Sequence, residues 1–164
     1  MVPTNVGDAL RILEGYDVQI NLQPGPLLSQ SVLQAAIDSR GISHEPVFFI
    51  YGDSFFVVDR HGQRVMNEKL NYHARASLHI RDPERELLFL IFDRRFKERY
   101  WGLGIGLPFD LRYIIKAGNP EDLRARIHAE LQRYGVEFTL AEDFASNLHL
   151  TRKAFDGYAR DGRD

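Results

Sequence analysis

Phe55-Phe56-Val57-Val58-Asp59-Arg60-His61-Gly62-Gln63-Arg64-Val65-Met66 reads as an aromatic and β-branched run, a polar turn and a second short run. Such side chains fit a pleated surface, and an Asp followed by Gly supplies turn geometry, so the stretch predicts two short antiparallel strands joined across 59–62. Upstream, residues 47–51 form a similar run separated by Gly52-Asp53, which makes the region a meander. Residues 86–92 are almost continuously apolar and predict a strand buried on both faces, and residues 111–116 offer another.

Helical signals surround these runs. Residues 5–15 place Ala9, Leu10 and Leu13 on one face, and a strand-like alternation follows over 17–22. After the Pro24-Gly25-Pro26 turn, Leu28, Val32, Ala35 and Ala36 recur at helical spacing within 27–39. The clearest helix opens at Asn119, an N-cap followed by Pro120, Glu121 and Asp122, with Leu123, Ile127 and Leu131 on one face and Gly135 at its end. A last helix is expected over 141–159, with Phe144, Leu148, Thr151, Phe155 and Tyr158 in register. Helices and short strands alternate without a βαβ rhythm, so the expected class is α+β.

With 164 residues, of which 44% are hydrophobic and 12% aromatic, the chain has material for one domain, 1–164, with a sizeable core. Twenty-one basic and 23 acidic residues give a net charge of -2, which offers no electrostatic argument for nucleic acid or an anionic membrane as partner. The absence of cysteine excludes disulfides, thiol nucleophiles and thiolate metal sites. The opening residues lack a basic start and an apolar run, and the 87–92 stretch is far too short to span a bilayer, so no membrane span and a cytoplasmic protein are the expectations.

Several motifs fail on context. Gly102, Gly104 and Gly106 form a G-x-G-x-G run, but Leu107-Pro108-Phe109 cannot open the helix that a phosphate loop needs. No two of the six histidines share H-x-x-x-H spacing, so no metal site is expected, and no serine lies in a G-x-S-x-G elbow. Asp53, Asp59, Asp82 and Asp93 sit at strand ends or turns, where carboxylates cap backbone amides. Tyr72-His73 differs: it follows Asn67-Glu68, which looks like a helix start, just after a strand. A tyrosine there could take a proton from a carbon beside a ketone if a nearby positive charge lowers its pKa of about 10; ordinary packing is the competing reading.

The run from Phe56 through Asp59-Arg60-His61-Gly62-Gln63-Arg64-Val65-Met66-Asn67-Glu68 resembles a signature of large FAD-dependent dehydrogenases, the relatives of fumarate reductase flavoproteins and 3-ketosteroid dehydrogenases. Leu90-Ile91-Phe92-Asp93, Ile115-Lys116-Ala117-Gly118-Asn119-Pro120-Glu121-Asp122-Leu123, and the tail from Phe155-Asp156-Gly157 to Asp164 resemble three further stretches in the same order. Val6-Gly7-Asp8-Ala9 is similar to a fifth. The resemblance implies a capping, or substrate, domain over about 43–164, with residues 1–15 like the edge of a missing FAD-binding domain. It implies that Tyr72 matches the tyrosine that removes a proton in the ketosteroid branch and that His73 stands about where the reductases place an arginine. Arg64, Asn67 and Glu68 would then contact substrate.

FAD is thus implied, yet no strand, G-x-G-x-x-G and helix stand in this sequence to bind it. The expected partners are an FAD-binding domain or subunit on another segment or chain, and a hydrophobic small molecule. Alone, the chain is expected to be inactive. The alternatives are a small binding protein of inhibitor or immunity type and a truncated gene product without activity.

Overall fold

The computed structural model describes residues 16, 30, 32–38, 54–100 and 113–160. The helix expected over 5–15, the strands over 17–22 and 47–51, Asp53, the Gly102 to Gly106 run and the last four residues of the tail lie outside the described residues. What is described is α+β: five α-helices and a two-stranded antiparallel sheet.

Strand β1 (Phe55–Val58) pairs with β2 (Phe89–Phe92), Phe55 opposite Phe92 and Val58 opposite Phe89. Every β1 residue is buried, whereas every β2 residue is only half-buried. The double burial expected of 86–92 therefore belongs to β1, and β2 is shorter than that run. The reason is position: β1 is covered along both edges. On the side away from β2 the chain returns after the turn, and Val65 N–H donates to the Val57 carbonyl at 3.3 Å. Only an isolated bridge, Val58 with Arg64, forms where a strand over 63–66 was expected. Glu68 takes the next place on that edge, its Oε1 accepting from Val57 N–H at 2.8 Å.

The two faces of β1 meet different helices, as period-2 alternation requires. Phe56 and Val58 join Ile127, Leu131, Leu140, Phe144, Leu148 and Phe155 in the main core. Phe55 instead meets Phe96 edge-on, with ring centroids 5.3 Å apart, and Phe92 packs on Phe96 at 5.2 Å.

The helices are α1 (Leu33–Asp38), α2 (Tyr72–Arg81), α3 (Arg94–Tyr100), α4 (Pro120–Arg133) and α5 (Phe144–Arg160), with a 3-10 turn at Pro83–Arg85. Helix α4 keeps the expected boundaries. Asn119 Oδ1 accepts from Asp122 N–H at 2.8 Å, and the end is a Schellman motif: Val136 N–H donates to Leu131 C=O at 2.9 Å and Gly135 N–H to Gln132 C=O at 3.0 Å. Gly135 supplies the left-handed conformation this closure needs, at φ 67°.

Helix α5 starts three residues later than expected, because Ala141 N–H donates to Arg60 C=O at 3.1 Å instead of entering the helix. Residues 113–116 form no strand; Ile115 packs on the core and the Tyr113 hydroxyl donates to Asp38 Oδ2 at 3.0 Å. The aspartates behave as read: Asp59 Oδ1 accepts from His61 and Gln63 N–H, Asp82 Oδ1 from Glu84 N–H, and Asp93 Oδ1 from Phe96 N–H.

Candidate functional site

Gly62 fixes the site. Its φ of 74° turns the chain sharply after Asp59, and its Cα lies so close to α5 that a Cβ would stand 2.3 Å from the Phe144 carbonyl oxygen and 2.9 Å from the Leu148 nitrogen. Thr151 Oγ1 donates to the Gly62 carbonyl at 3.0 Å, so turn and helix are joined by backbone contact and by a hydrogen bond. The next residues, Gln63 and Arg64, consequently emerge over the following turns of α5.

Arg64 is held from two sides. Its Nε lies 3.2 Å from both Glu68 oxygens, its Nη2 donates to Glu68 Oε2 at 2.6 Å, and its guanidinium carbon sits 5.4 Å above the Phe155 ring. Glu68 is 4% exposed, and Arg64 and the Val57 amide satisfy the oxygens of its buried side chain. Arg75, 3% exposed on the first turns of α2, adds a second cation nearby. Burial pushes the Arg75 pKa down and the Glu68 carboxylate opposes that shift, while the guanidinium stays charged at any ordinary pH.

The remaining expected site residues spread from this pair. Asn67 is exposed and its Oδ1 accepts from Lys69 N–H at 2.9 Å. Asn71, not Asn67, caps α2 by accepting from Ala74 N–H at 2.9 Å, and Tyr72 and His73 open the helix. His73 is exposed; the side chain of Tyr72 lies outside the described residues. The structure thus joins Arg64 to Glu68 directly and places Tyr72 and His73 on a neighbouring helix start.

Arg64 also borders a groove of about 420 Å³ along α5, walled by Leu150, Ala154 and Phe155. Phe155 belongs to the core stripe of α5 and also lines this groove. In the sequence the signal is Leu150, an apolar residue off the core stripe of α5, and in the structure it is 61% exposed.

At the other end of the turn, His61 Nδ1 lies 3.1 Å from Asp143 Oδ1, and Asn147 Nδ2 donates to Asp143 Oδ2 at 3.0 Å. The His61 hydrogen bond, ahead of lesser causes, holds the Asp143 carboxyl below its usual pKa. A depressed carboxyl stabilises the fold above its unfolded pKa of about 3.9, and the contribution is lost as pH falls through the folded value. Urea midpoints of wild type and Asp143→Asn should therefore differ at pH 6 and converge as acid titrates this carboxyl; a constant gap down to strong acid would contradict the linkage.

No family model matches the chain. Over 172 aligned positions, covering 95% of the chain, it is 28% identical to a 4-oxocyclohexanecarboxylate 2-dehydrogenase from Sinomonas cyclohexanicum. The chain spans 29% of that relative's length. It is therefore similar to one segment of a dehydrogenase.

The described residues do not fit a dinucleotide. Where β2 runs into α3, the Asp93 carboxylate takes the Phe96 amide and would repel a pyrophosphate. The starts of α2 and α4 are closed by asparagine caps, and α4 adds Glu121 and Asp122 in its first turn. Among the described residues there is also no group of three His, Cys, Asp or Glu that could hold a metal ion, and no helix long and apolar enough to cross a membrane.

Proposed function

We propose that this chain is the substrate-capping portion of an FAD-dependent oxidoreductase that desaturates or reduces a hydrophobic cyclic ketone, the flavin being held by a domain or subunit beyond the described residues. The alignment with a dehydrogenase named for an oxo-substituted ring, running along 95% of the chain, is the observation that carries this reading. Arg64 supplies a fixed cation to an oxygen of the substrate. Glu68 acts through Arg64, which it orients. Asn67 borders the same segment, Tyr72 is the candidate group for moving a proton at the carbon beside the ketone, and His73 is its auxiliary.

The test is to express the chain together with the coding sequence on either side of it, record the visible flavin bands, and follow desaturation of cyclic ketones with an artificial electron acceptor. A coloured, active product is expected, with Tyr72→Phe lowering kcat by about 10²–10⁴-fold while the flavin bands persist. A colourless product that forms a stable complex with an unrelated protein would replace this reading by that of a small binding protein. Unchanged turnover in Tyr72→Phe would remove the tyrosine from the chemistry.

A further inference from the structure

We infer that the groove between the turn after Gly62 and helix α5 binds an alicyclic ring carrying a ketone or carboxylate oxygen, which adds α5 residues to the substrate site. The inference rests on the reading above for the ring and its place in a reaction, while the groove's own chemistry supplies an apolar wall and a donor for its oxygen. One wall is apolar, built from Leu150, Ala154 and Phe155. Leu150 stays 61% exposed there while Leu148, two residues earlier, is 4% exposed in the core. A ring laid on this wall would take its apolar surface out of water.

The polar side selects the ring's substituent. Arg64 can only donate and Gln63 carries an amide beside it, while Asn147 Nδ2 already donates to Asp143 Oδ2. The Thr151 hydroxyl already donates to the Gly62 carbonyl. None of the residues lining the groove is an acid, the nearest carboxylates, Glu68 and Asp143, being already bonded to Arg64 and Asn147, whereas a carbonyl or carboxylate oxygen meets a guanidinium oriented by Glu68 and Phe155. A volume of about 420 Å³ admits one ring or a fused pair or more, so size does not restrict the class to single rings.

The test titrates the nitrogen-15-labelled chain with cyclohexanone, cyclohexanecarboxylate, a fused-ring ketone and cyclohexylammonium while amide resonances are followed. Saturable shifts at residues 63, 64, 150, 151 and 154 are expected with one or more oxygen-bearing rings, with millimolar affinity for the single rings because so few atoms make contact. The ammonium should leave those amides unmoved. Arg64→Met should weaken binding at least tenfold, but it also strips Glu68 of its partner, so Ala154→Trp, at an exposed position, is the second variant and should abolish the saturable shifts by filling the groove. Equal shifts with the ammonium, no saturation with any ring, or binding that survives Ala154→Trp would each overturn the site. Saturable binding to the chain, together with a colourless and inactive product when it is expressed with the flanking coding sequence, would sink the dehydrogenase reading alone. Ketone turnover with an unchanged KM in Ala154→Trp would sink the groove alone.

Discussion

Gly62→Ala should destabilise the fold by roughly 3–4 kcal/mol, because a left-handed backbone disfavours any Cβ and this Cβ also collides with backbone atoms that cannot swing aside. The obstacles at 2.3 and 2.9 Å belong to Phe144 and Leu148, so relief requires moving the helix itself. In a domain of this size the loss corresponds to a fall in Tm of about 10 °C, read by calorimetry, with the urea midpoint shifted and the m-value retained. Two other glycines make internal controls. Gly135→Ala meets open space but keeps φ at 67°, so about 1 kcal/mol is expected; Gly118→Ala meets nothing within 4 Å and should fall within about 0.5 kcal/mol of wild type. Equal effects at all three positions would show that the contact with α5 does not hold the turn.

Glu68→Leu should cost about 3 kcal/mol, the low end of the range for breaking a buried ion pair. Arg64, with a side chain 30% exposed, can turn partly to solvent, whereas Arg75, 3% exposed, keeps its buried charge and loses the neighbouring carboxylate. The Val57 amide loses its acceptor as well. Glu68→Gln retains an oxygen for that amide and should cost less. The double variant Arg64→Met/Glu68→Leu should recover part of the loss, since two apolar side chains can replace a buried pair at little net cost. A double variant as unstable as the sum of the two singles would mean that the pair is not coupled. These measurements use denaturant midpoints on the chain itself and need no activity.

The sequence made some of this legible and hid the rest for physical reasons. Residues 55–58 announced a strand by composition, and α4 announced both ends, since Asn119-Pro120-Glu121-Asp122 and Gly135 act locally, where spacing is informative. Helix α5 was visible through Phe144, Leu148 and Phe155, a stripe that faces one core. Helices α2 and α3 were not. In α2 a buried position is filled by Arg75, tolerated because Glu68 arrives from outside the helix, and periodicity of apolar residues cannot register such a partner. In α3 the fully buried Phe96 sits in a segment whose sequence is otherwise rich in charge. Arg64 and Glu68 drew notice as part of a resembling motif, but the groove beside them joins residues 63–64 to residues 147–155, a juxtaposition that only folding creates. Tyr72 and His73 follow the helix-start signal at Asn67-Glu68 and open a helix, which begins only at the Asn71 cap.

The bond from Thr151 to Gly62 spans 89 residues of sequence, and the turn it secures is seated on the same helix. Closing so long a loop costs entropy before any contact rewards it, and such distant pairings slow folding. As the polypeptide leaves the ribosome, β1 and its turn emerge before α5, so until that helix follows, Phe56 and Val58 lack part of their cover. Release of this segment in native form is therefore timed by the arrival of α5, and for that interval Phe56 and Val58 are what a chaperone would find.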